Sequence, residues 1–209
     1  MDIKQNIVDK SKYSLKCPNK LDVKYIVVHN TANDASAKNE IAYMISTNVA
    51  TSFHFAVDDK EIVQGIPLDR TAFHAGDGRN GKGNRYGIGI EICYSKSGGD
   101  RFIEAEKNAV KLIVYLLKKY NLDISAVITH QECSGKYCPH RTLDLGWERF
   151  KNMISSELEA KNMDEPSAWA KEAWQWATAK GYLDGTNPKG TVTREMLAQV
   201  LYNLFGKEK

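Results

Sequence analysis

Two short apolar runs, each ending in a histidine, constrain the fold of this chain most. Residues 25–29 end at His29 and residues 126–130 end at His130, and both runs are rich in β-branched residues. Short apolar runs of this kind are typical of buried strands. We therefore predict two core strands that deliver their histidines to the same end of a sheet.

A thiol follows the second histidine along the chain. Cys138 lies eight residues beyond His130, in a short loop that also carries Lys136. Two imidazoles and one thiolate form a ligand set of catalytic zinc, which keeps its fourth position open. Zinc in such a site lowers the pKa of water from about 15.7 to about 7 and polarises a carbonyl group. The pattern predicts a hydrolase with Zn²⁺ held by His29, His130 and Cys138.

Three other interpretations of these residues stay open from the sequence. His130, Cys133, Cys138 and His140 could form a closed structural zinc site within one loop. His29 could be a core histidine with its hydrogen bonds satisfied, and Cys133 could pair with Cys138 in a disulfide. The combined pattern favours the open site, because both histidines close similar strands.

A single carboxylate interrupts a third apolar run. Glu91 lies within residues 88–93, where isoleucine occupies positions 88, 90 and 92. A carboxylate on a core strand is costly unless it is paired or takes part in chemistry. Alternation along the strand also allows Glu91 to face solvent. Of the two, we favour a functional role.

Strand and helix patterns alternate through the first 160 residues. This alternation favours the α/β class, with a mixed central β-sheet flanked by helices. The predicted elements are three helices, a hairpin and an exposed glycine-rich loop: helices over about 37–47, 104–120 and 147–160, strands over 52–57 and 61–66, and a loop over 76–84.

A polar stretch with a proline, residues 161–166, is the predicted linker between two domains. The catalytic domain spans residues 1–160 in this interpretation. Residues 167–209 form a small α-helical module, with helices over about 167–180 and 193–205. Two helices of this length make a marginal core. We therefore expect the module to pack on the main domain or to self-associate through these helices.

The composition excludes several classes of partner. Hydrophobic residues make up 42% of the chain and charged residues 26%, as in ordinary soluble globular proteins. The net charge of +3 is weak, and no basic block indicates a nucleic acid or a membrane as partner. The first residues lack the apolar segment of a secretory signal, so we expect synthesis in the cytoplasm. Cys17, Cys93 and Cys133 are expected to be reduced thiols.

These motifs resemble the type 2 N-acetylmuramoyl-L-alanine amidase family, which includes phage lysins and animal peptidoglycan recognition proteins. The likeness rests on three strand segments and on the loop after the second histidine: residues 26–32, 52–57 and 88–92, His130, Lys136 and Cys138. It extends over about residues 20–155. Segments 91–95 and 134–139 are similar to lysins of phages that infect Gram-positive spore formers.

The resemblance implies both a site and a reaction. Zn²⁺ is held by His29, His130 and Cys138, Glu91 acts as the general base, and Lys136 stabilises the oxyanion. The reaction is hydrolysis of the amide bond between N-acetylmuramic acid and L-alanine in bacterial peptidoglycan. The implied role is that of a phage endolysin, which reaches the cell wall of a Gram-positive host after its release. A peptidoglycan-binding protein without catalysis and a bacterial autolysin are the alternatives.

Three residues of the implied cleft carry further expectations. Some family members have a catalytic tyrosine where this chain has Phe53, which has no proton to give, so we predict a core aromatic there. The resemblance places His54 and His74 near the peptide-binding cleft. We predict that both bind substrate on the rim of the groove, and a solvated loop histidine is the alternative for His74.

The C-terminal module resembles a shortened S-layer homology module in a single copy. The matching positions lie in segments 169–173, 176–185 and 191–195, of which the last is the most specific. The resemblance implies binding to a polymer of the cell wall. A pair of helices that packs or dimerises, with Trp169, Trp174 and Trp176 as its core, is the alternative.

Overall fold

A six-stranded mixed sheet forms the centre of the first of two units. The computed structural model describes residues 2–206 of the chain, with the backbone alone for residues 162 and 163. The two units are Met1–Glu157 and Leu158–Lys209. The sheet and every residue of the predicted site belong to the first unit.

The strands follow the order β1-β4-β3-β5-β2-β6 across the sheet. Neighbours pair in parallel, except for the antiparallel hairpin of β3 and β4. The predicted α/β class with a mixed sheet flanked by helices is confirmed. In chain order the strands are β1 (Lys4–Gln5), β2 (Tyr25–Asn30), β3 (Phe55–Val57), β4 (Ile62–Gln64), β5 (Gly87–Ile92) and β6 (Val127–Thr129).

The two central strands, β2 and β5, are buried along almost their whole length because layers of helices cover both faces of a largely parallel sheet. Their register sets His29 opposite Glu91. On the other side of β2, Val28 pairs with Thr129 of β6, so His130 follows at the same edge. Because the carboxyl ends of parallel strands meet at one edge, the predicted meeting of both histidines at one end of the sheet is confirmed.

A buried aspartate shapes the hairpin. Asp58 Oδ1 accepts hydrogen bonds from the amides of Lys60 and Glu61, which closes the turn, and Oδ2 accepts one from the amide of Ala37. Both strands are shorter than predicted. The amide of Ser52 donates to the Phe73 carbonyl instead of to β4, so this residue lies outside the ladder.

Nine α-helices flank the sheet or form the second unit in the part of the chain that the structure describes. None of these helices is long and apolar enough to cross a membrane. They are α1 (Tyr13–Lys16), α2 (Ala37–Ser46), α3 (Lys82–Tyr86), α4 (Gly99–Tyr120), α5 (His130–Ser134), α6 (His140–Asp144), α7 (Trp147–Met163), α8 (Lys171–Ala179) and α9 (Arg194–Phe205).

The longest helix, α4, buries a full apolar face. Leu112, Ile113 and Leu116 on this face are completely buried, as the helical periodicity predicts. The helix begins five residues earlier than predicted, because Gly98 and Gly99 both adopt a positive φ and turn the chain into its first turn.

Substitution of Leu112 by alanine should lower the free energy of unfolding by about 2–5 kcal/mol, since it removes a side chain from a closely packed core. Urea denaturation monitored by circular dichroism measures this loss. Lys111→Ala on the exposed face of the same helix is the control, and we expect it to change stability by less than about 0.5 kcal/mol. Equal losses for both variants would contradict the assignment of the buried face.

The two helices α8 and α9 of the second unit have no buried residues. Trp169 is 90% exposed. Before them, α7 continues to Met163, three residues beyond its predicted end and into the predicted linker, because Pro166 is the first residue that stops a helix. The predicted domain roles on either side of this linker stay predictions.

Candidate metal centre

Three side chains converge at the carboxyl edge of the sheet. His29 lies in β2, His130 is the first residue of α5 directly after β6, and Cys138 lies in the loop between α5 and α6. One ligand atom from each residue lies within 4.8 Å of the others. The Nδ1 atom of His29 is 3.0 Å from Nδ1 of His130 and 4.0 Å from Sγ of Cys138. All three residues are buried.

Hydrogen bonds fix which nitrogen of His29 carries the proton. Burial lowers the pKa of His74 to about 3, so its ring is neutral and has a single N–H. The Nε2 atom of His74 lies 3.3 Å from the Gly87 carbonyl, which can only accept, so Nε2 is the donor. Nδ1 of His74 must then accept from Nε2 of His29, at 2.9 Å. His29 therefore keeps the lone pair of its Nδ1.

The second histidine is fixed in the same way. Burial, followed by the charge of Lys136, lowers the pKa of His130, whereas Asp77 and the backbone of Ala75 raise it. Because Nδ1 of His130 faces His29, the nitrogen close to the backbone of residues 75 and 76 is Nε2, which lies 3.4 Å from the position of a Cβ at Gly76, and the Ala75 backbone stabilises a proton there. Nδ1 of His130 is thus also left with its lone pair. Second bonds of this type set the tautomer and orientation of histidine ligands in metal sites.

The two facing lone pairs fit a metal ion. Two nitrogens without protons repel each other at 3.0 Å unless a cation lies between them. Nitrogens bound to one tetrahedral zinc at about 2.0–2.1 Å lie roughly 3.3 Å apart, close to the observed separation. The pKa of His29 is well below its ordinary value because of burial and, to a lesser degree, its neighbours His74, His130 and Lys136. Metal binding requires such neutral imidazoles.

The cysteine is presented by a loop that a buried asparagine holds. Asn30 Oδ1 accepts hydrogen bonds from the amides of Arg141 and Thr142 at the start of α6, at 2.9 and 3.2 Å. Burial raises the pKa of the Cys138 thiol to about 11, while backbone hydrogen bonds from Asn30 and His140 lower it. These bonds favour the thiolate, and a coordinated metal removes the thiol proton outright.

Glu91 lies beside this cluster with one unpaired oxygen. Part of the residue reaches the surface, but Oε2 is enclosed and has no hydrogen-bond partner among the described residues. Burial, followed by the charge of Glu40, raises the pKa of Glu91 to about 8, and Lys136 opposes this rise. The alternative in which Glu91 faces solvent therefore does not hold for Oε2 of its carboxylate, which is buried.

Lys136 is an exposed residue whose charge reaches the whole cluster. It lowers the pKa of His29, His130, Glu91 and Cys138. The structure thus brings together the five residues predicted as metal ligands and catalytic groups. Their roles in binding and catalysis stay predictions.

The two histidines expected on the groove rim lie inside the protein. His54 is wholly buried; its Nδ1 accepts from the Gly89 amide at 3.0 Å and its Nε2 donates to the Arg70 carbonyl at 2.9 Å. His74 is 7% exposed and supports His29. Both rings use their two nitrogens within the protein, and their predicted binding of substrate stays a prediction. Phe53 is buried, which confirms a core aromatic.

The closed-loop and disulfide interpretations are wrong. All four cysteines are free thiols. Neither Cys133 nor His140 joins the group of ligand atoms found among the described residues. The sulfur of Cys133 instead donates to the Thr129 carbonyl within its own helical turn, at 3.5 Å. This hydrogen bond places the Cys133 sulfur beside the backbone of Thr129 and outside the group of ligand atoms.

The part of the chain that forms most of the sheet and the site matches a known protein family. The family described as N-acetylmuramoyl-L-alanine amidase matches residues 19–141, which include all three converging ligands. The chain belongs to this family. Among its relatives, the N-acetylmuramoyl-L-alanine amidase XlyB of Bacillus subtilis is 51% identical over 180 residues, which are 86% of this chain and 57% of XlyB.

A second named relative and two solved structures agree with this match. The N-acetylmuramoyl-L-alanine amidase CwlA of Bacillus subtilis is 58% identical over 156 residues, 74% of this chain and 57% of CwlA. The chain thus spans little more than half the length of these two relatives. The structure of PlyL is 54% identical with a TM-score of 0.72, and covers 74% of this chain and 97% of PlyL. The PlyG catalytic domain is 55% identical with a TM-score of 0.73, and covers 76% and 96%.

Sequence reasoning missed the residues that support the site. The acceptor role of His74, the clamp by Asn30 and the burial of Asn84 in the glycine-rich segment all depend on contacts between distant parts of the chain. The only signal in the sequence was that His74 lies just before the glycine-rich segment, residues 76–84. Its composition indicated an exposed loop, whereas Gly83 and Asn84 are buried.

Proposed function

We propose that this chain is a zinc-dependent amidase that hydrolyses the bond between N-acetylmuramic acid and L-alanine in peptidoglycan. The observation that carries the proposal is the pair of facing imidazole lone pairs at 3.0 Å, with a thiol and an enclosed carboxylate beside them. Membership of the amidase family supports the bond and the substrate. A protein that only binds peptidoglycan has no need of an unpaired carboxylate at this point.

His29, His130 and Cys138 would hold the zinc ion. When bound, zinc supplies Lewis-acid chemistry, since it makes water acidic near neutral pH and polarises a carbonyl group. The protein contributes a site that is formed in advance, because His74, Ala75 and Asn30 orient all three ligands. Three protein ligands are the number that catalytic zinc sites use.

Glu91 would move the proton that the reaction requires. Its free Oε2 can take a proton from the attacking water while the water oxygen bonds to the amide carbon. The same proton then passes to the amide nitrogen as the carbon–nitrogen bond breaks, because an amine leaves only when protonated. The products are the lactyl carboxylate of N-acetylmuramic acid and the free amino group of L-alanine. The Lys136 ammonium would stabilise the negative oxygen that develops on the carbonyl.

Mass analysis of digested peptidoglycan tests this reaction. Purified walls treated with the zinc-loaded chain should gain free L-alanine amino termini and no new reducing sugars. The Glu91→Gln chain is the matched control and should release these termini at least about a hundredfold more slowly. New reducing ends would indicate a glycosidase instead. Binding to walls without any new terminus would favour the peptidoglycan-binding alternative.

We further propose that the enzyme is a phage endolysin that acts on a Gram-positive host. Support comes from a solved chain named as a mutant endolysin from Bacillus subtilis, which is 41% identical with a TM-score of 0.67. Mass spectrometry of cultures before and after induction of a resident phage tests this role. Appearance of the chain only after induction is the expected result. A constant level in growing, uninduced cells would indicate a bacterial autolysin.

For the second unit we propose binding to a polymer of the cell wall. Its exposed aromatic residues Trp169, Trp176 and Tyr182 offer flat apolar faces, and the last two lie 5.3 Å apart between ring centres. Sedimentation of the inactive Glu91→Gln chain with walls measures this binding. Adding Trp169→Ala and Trp176→Ala should weaken it at least tenfold. Unchanged sedimentation would mean that the first unit alone holds the wall.

A further inference from the structure

We propose that Asn84 is a positioning residue that sets the zinc affinity of the metal centre, because it holds the backbone segment that supports both histidine ligands. The inference rests on the proposed zinc site. Asn84 is not one of the converging ligands and has no place in the proposed chemistry. It lies in α3, at the end of the glycine-rich segment that the sequence indicated as an exposed loop.

Asn84 is buried and forms hydrogen bonds through both polar atoms of its side chain. It is only 4% exposed. Its Oδ1 accepts from the amides of His74 and Ala75, both at 2.8 Å, and its Nδ2 donates to the Gly78 carbonyl at 3.0 Å. The Asp77 carboxylate in turn accepts the Asn84 amide at 3.2 Å. One side-chain oxygen therefore holds two consecutive backbone amides.

The two residues that Asn84 holds are those that support the metal ligands. Nδ1 of His74 accepts a hydrogen bond from Nε2 of His29. Nε2 of His130 faces the backbone of residues 75 and 76, 3.4 Å from where a Cβ of Gly76 would lie, and the Ala75 backbone raises the pKa of His130. Both imidazoles are directed by a single dipeptide, and that dipeptide is fixed by a single side chain. Loss of the Asn84 oxygen would leave two buried amides unpaired, so the dipeptide would have to move.

Close packing around the dipeptide leaves little freedom for it to settle elsewhere. A Cβ atom at Gly83 would lie 2.4 Å from the Cβ of Ala75, and one at Gly89 would lie 2.6 Å from the ring of His74. These two glycines thus let α3 and β5 approach residues 74 and 75. The dipeptide is held between them, and a shift there would be transmitted to the ligands.

Zinc affinity, measured on the full chain by competition with a chromophoric chelator, tests the inference. We expect Asn84→Ala to weaken zinc binding by about 10- to 100-fold, as for other residues that orient metal ligands. Asn84→Asp keeps an oxygen that can accept from both amides but loses the donor to the Gly78 carbonyl, and should therefore bind zinc more tightly than Asn84→Ala and less tightly than the unsubstituted chain. If Asn84→Ala does not fold, Asn84→Ser, which cannot reach both amides, should show at least a tenfold loss.

Ser52→Ala is the matched control for a merely structural effect. Ser52 is also wholly buried, and its Oγ accepts the amide of Phe73, the residue next to the dipeptide. This substitution removes the same kind of bond without touching an acceptor of a metal ligand. We expect it to change zinc affinity less than threefold. An equal loss in Ser52→Ala, or unchanged affinity in Asn84→Ala or its serine substitute, would overturn the inference.

Proton spectra give a second readout that stability alone would not move. In the zinc-loaded chain the hydrogen-bonded Nε2 proton of His29 should give a protected signal. We expect the signal to weaken or vanish in Asn84→Ala and to persist in Ser52→Ala. Failure of the proposed function is distinguishable, because the unsubstituted chain would then bind no zinc through His29. Failure of the inference leaves that binding intact.

Discussion

The His29→Ala chain should retain no stoichiometric zinc and should hydrolyse walls about a thousandfold more slowly, or worse. His29 supplies the ligand atom that lies close to both other ligands, at 3.0 Å from His130 and 4.0 Å from Cys138. Its loss removes a Lewis acid worth several kcal/mol of transition-state stabilisation, and each 1.36 kcal/mol corresponds to a factor of ten in rate. Zinc content by atomic emission and the release of L-alanine amino termini measure the two effects.

Cys133→Ser is the control for this experiment, since it alters a thiol of the neighbouring helix that does not join the ligand group. We expect this variant to keep its zinc and most of its activity. The reverse pattern, with zinc lost from Cys133→Ser and activity kept by His29→Ala, would restore the closed-loop site. Treatment with a chelator should abolish activity, and added zinc should restore it.

Glu91→Gln should bind zinc normally and lose about two to four orders of magnitude in the rate of hydrolysis. The amide has the shape of the carboxylate but cannot take a proton from water. Steady-state kinetics on soluble muramyl peptides should place the loss in kcat, with zinc content unchanged. Residual activity above a tenth of that of the unsubstituted chain would mean that another group moves the proton.

The same variant allows a test of the raised pKa of Glu91 in the metal-free chain. A carboxyl group whose pKa is higher in the folded state, here about 8, stabilises the fold at low pH and loses this contribution as pH rises through that value. The stability of the unsubstituted chain relative to Glu91→Gln should therefore fall between about pH 4.5 and pH 8. Urea denaturation at several pH values measures the difference. A constant difference across this range would contradict the burial of the carboxylate.

The strand patterns were sufficient to predict the sheet edge where the site lies. Short apolar runs rich in β-branched residues typically form buried strands. The positions of His29, Glu91 and His130 at one edge of the sheet could therefore be predicted from local sequence. Cys138 joined them because its loop is short. The α/β class followed from the alternation of these runs with amphipathic helices such as α4.

The supporting residues could not be predicted, because their roles are set by bonds across the fold. Asn30 holds residues more than a hundred positions away, and the function of His74 depends on which nitrogen the Gly87 carbonyl leaves free. Glycines indicated a loop at residues 76–84, but composition does not tell whether the residues of a loop face solvent or pack inward. Here Asn84 packs inward.

Anomalous diffraction at the zinc edge, from crystals of the zinc-loaded chain, tests the central claim most directly. We predict one ion about 2.0–2.1 Å from Nδ1 of His29 and of His130, and about 2.3 Å from Sγ of Cys138, with no fourth protein ligand. An ion bound through Cys133 or His140, or an ion at any place where His29 does not reach it, would contradict the account.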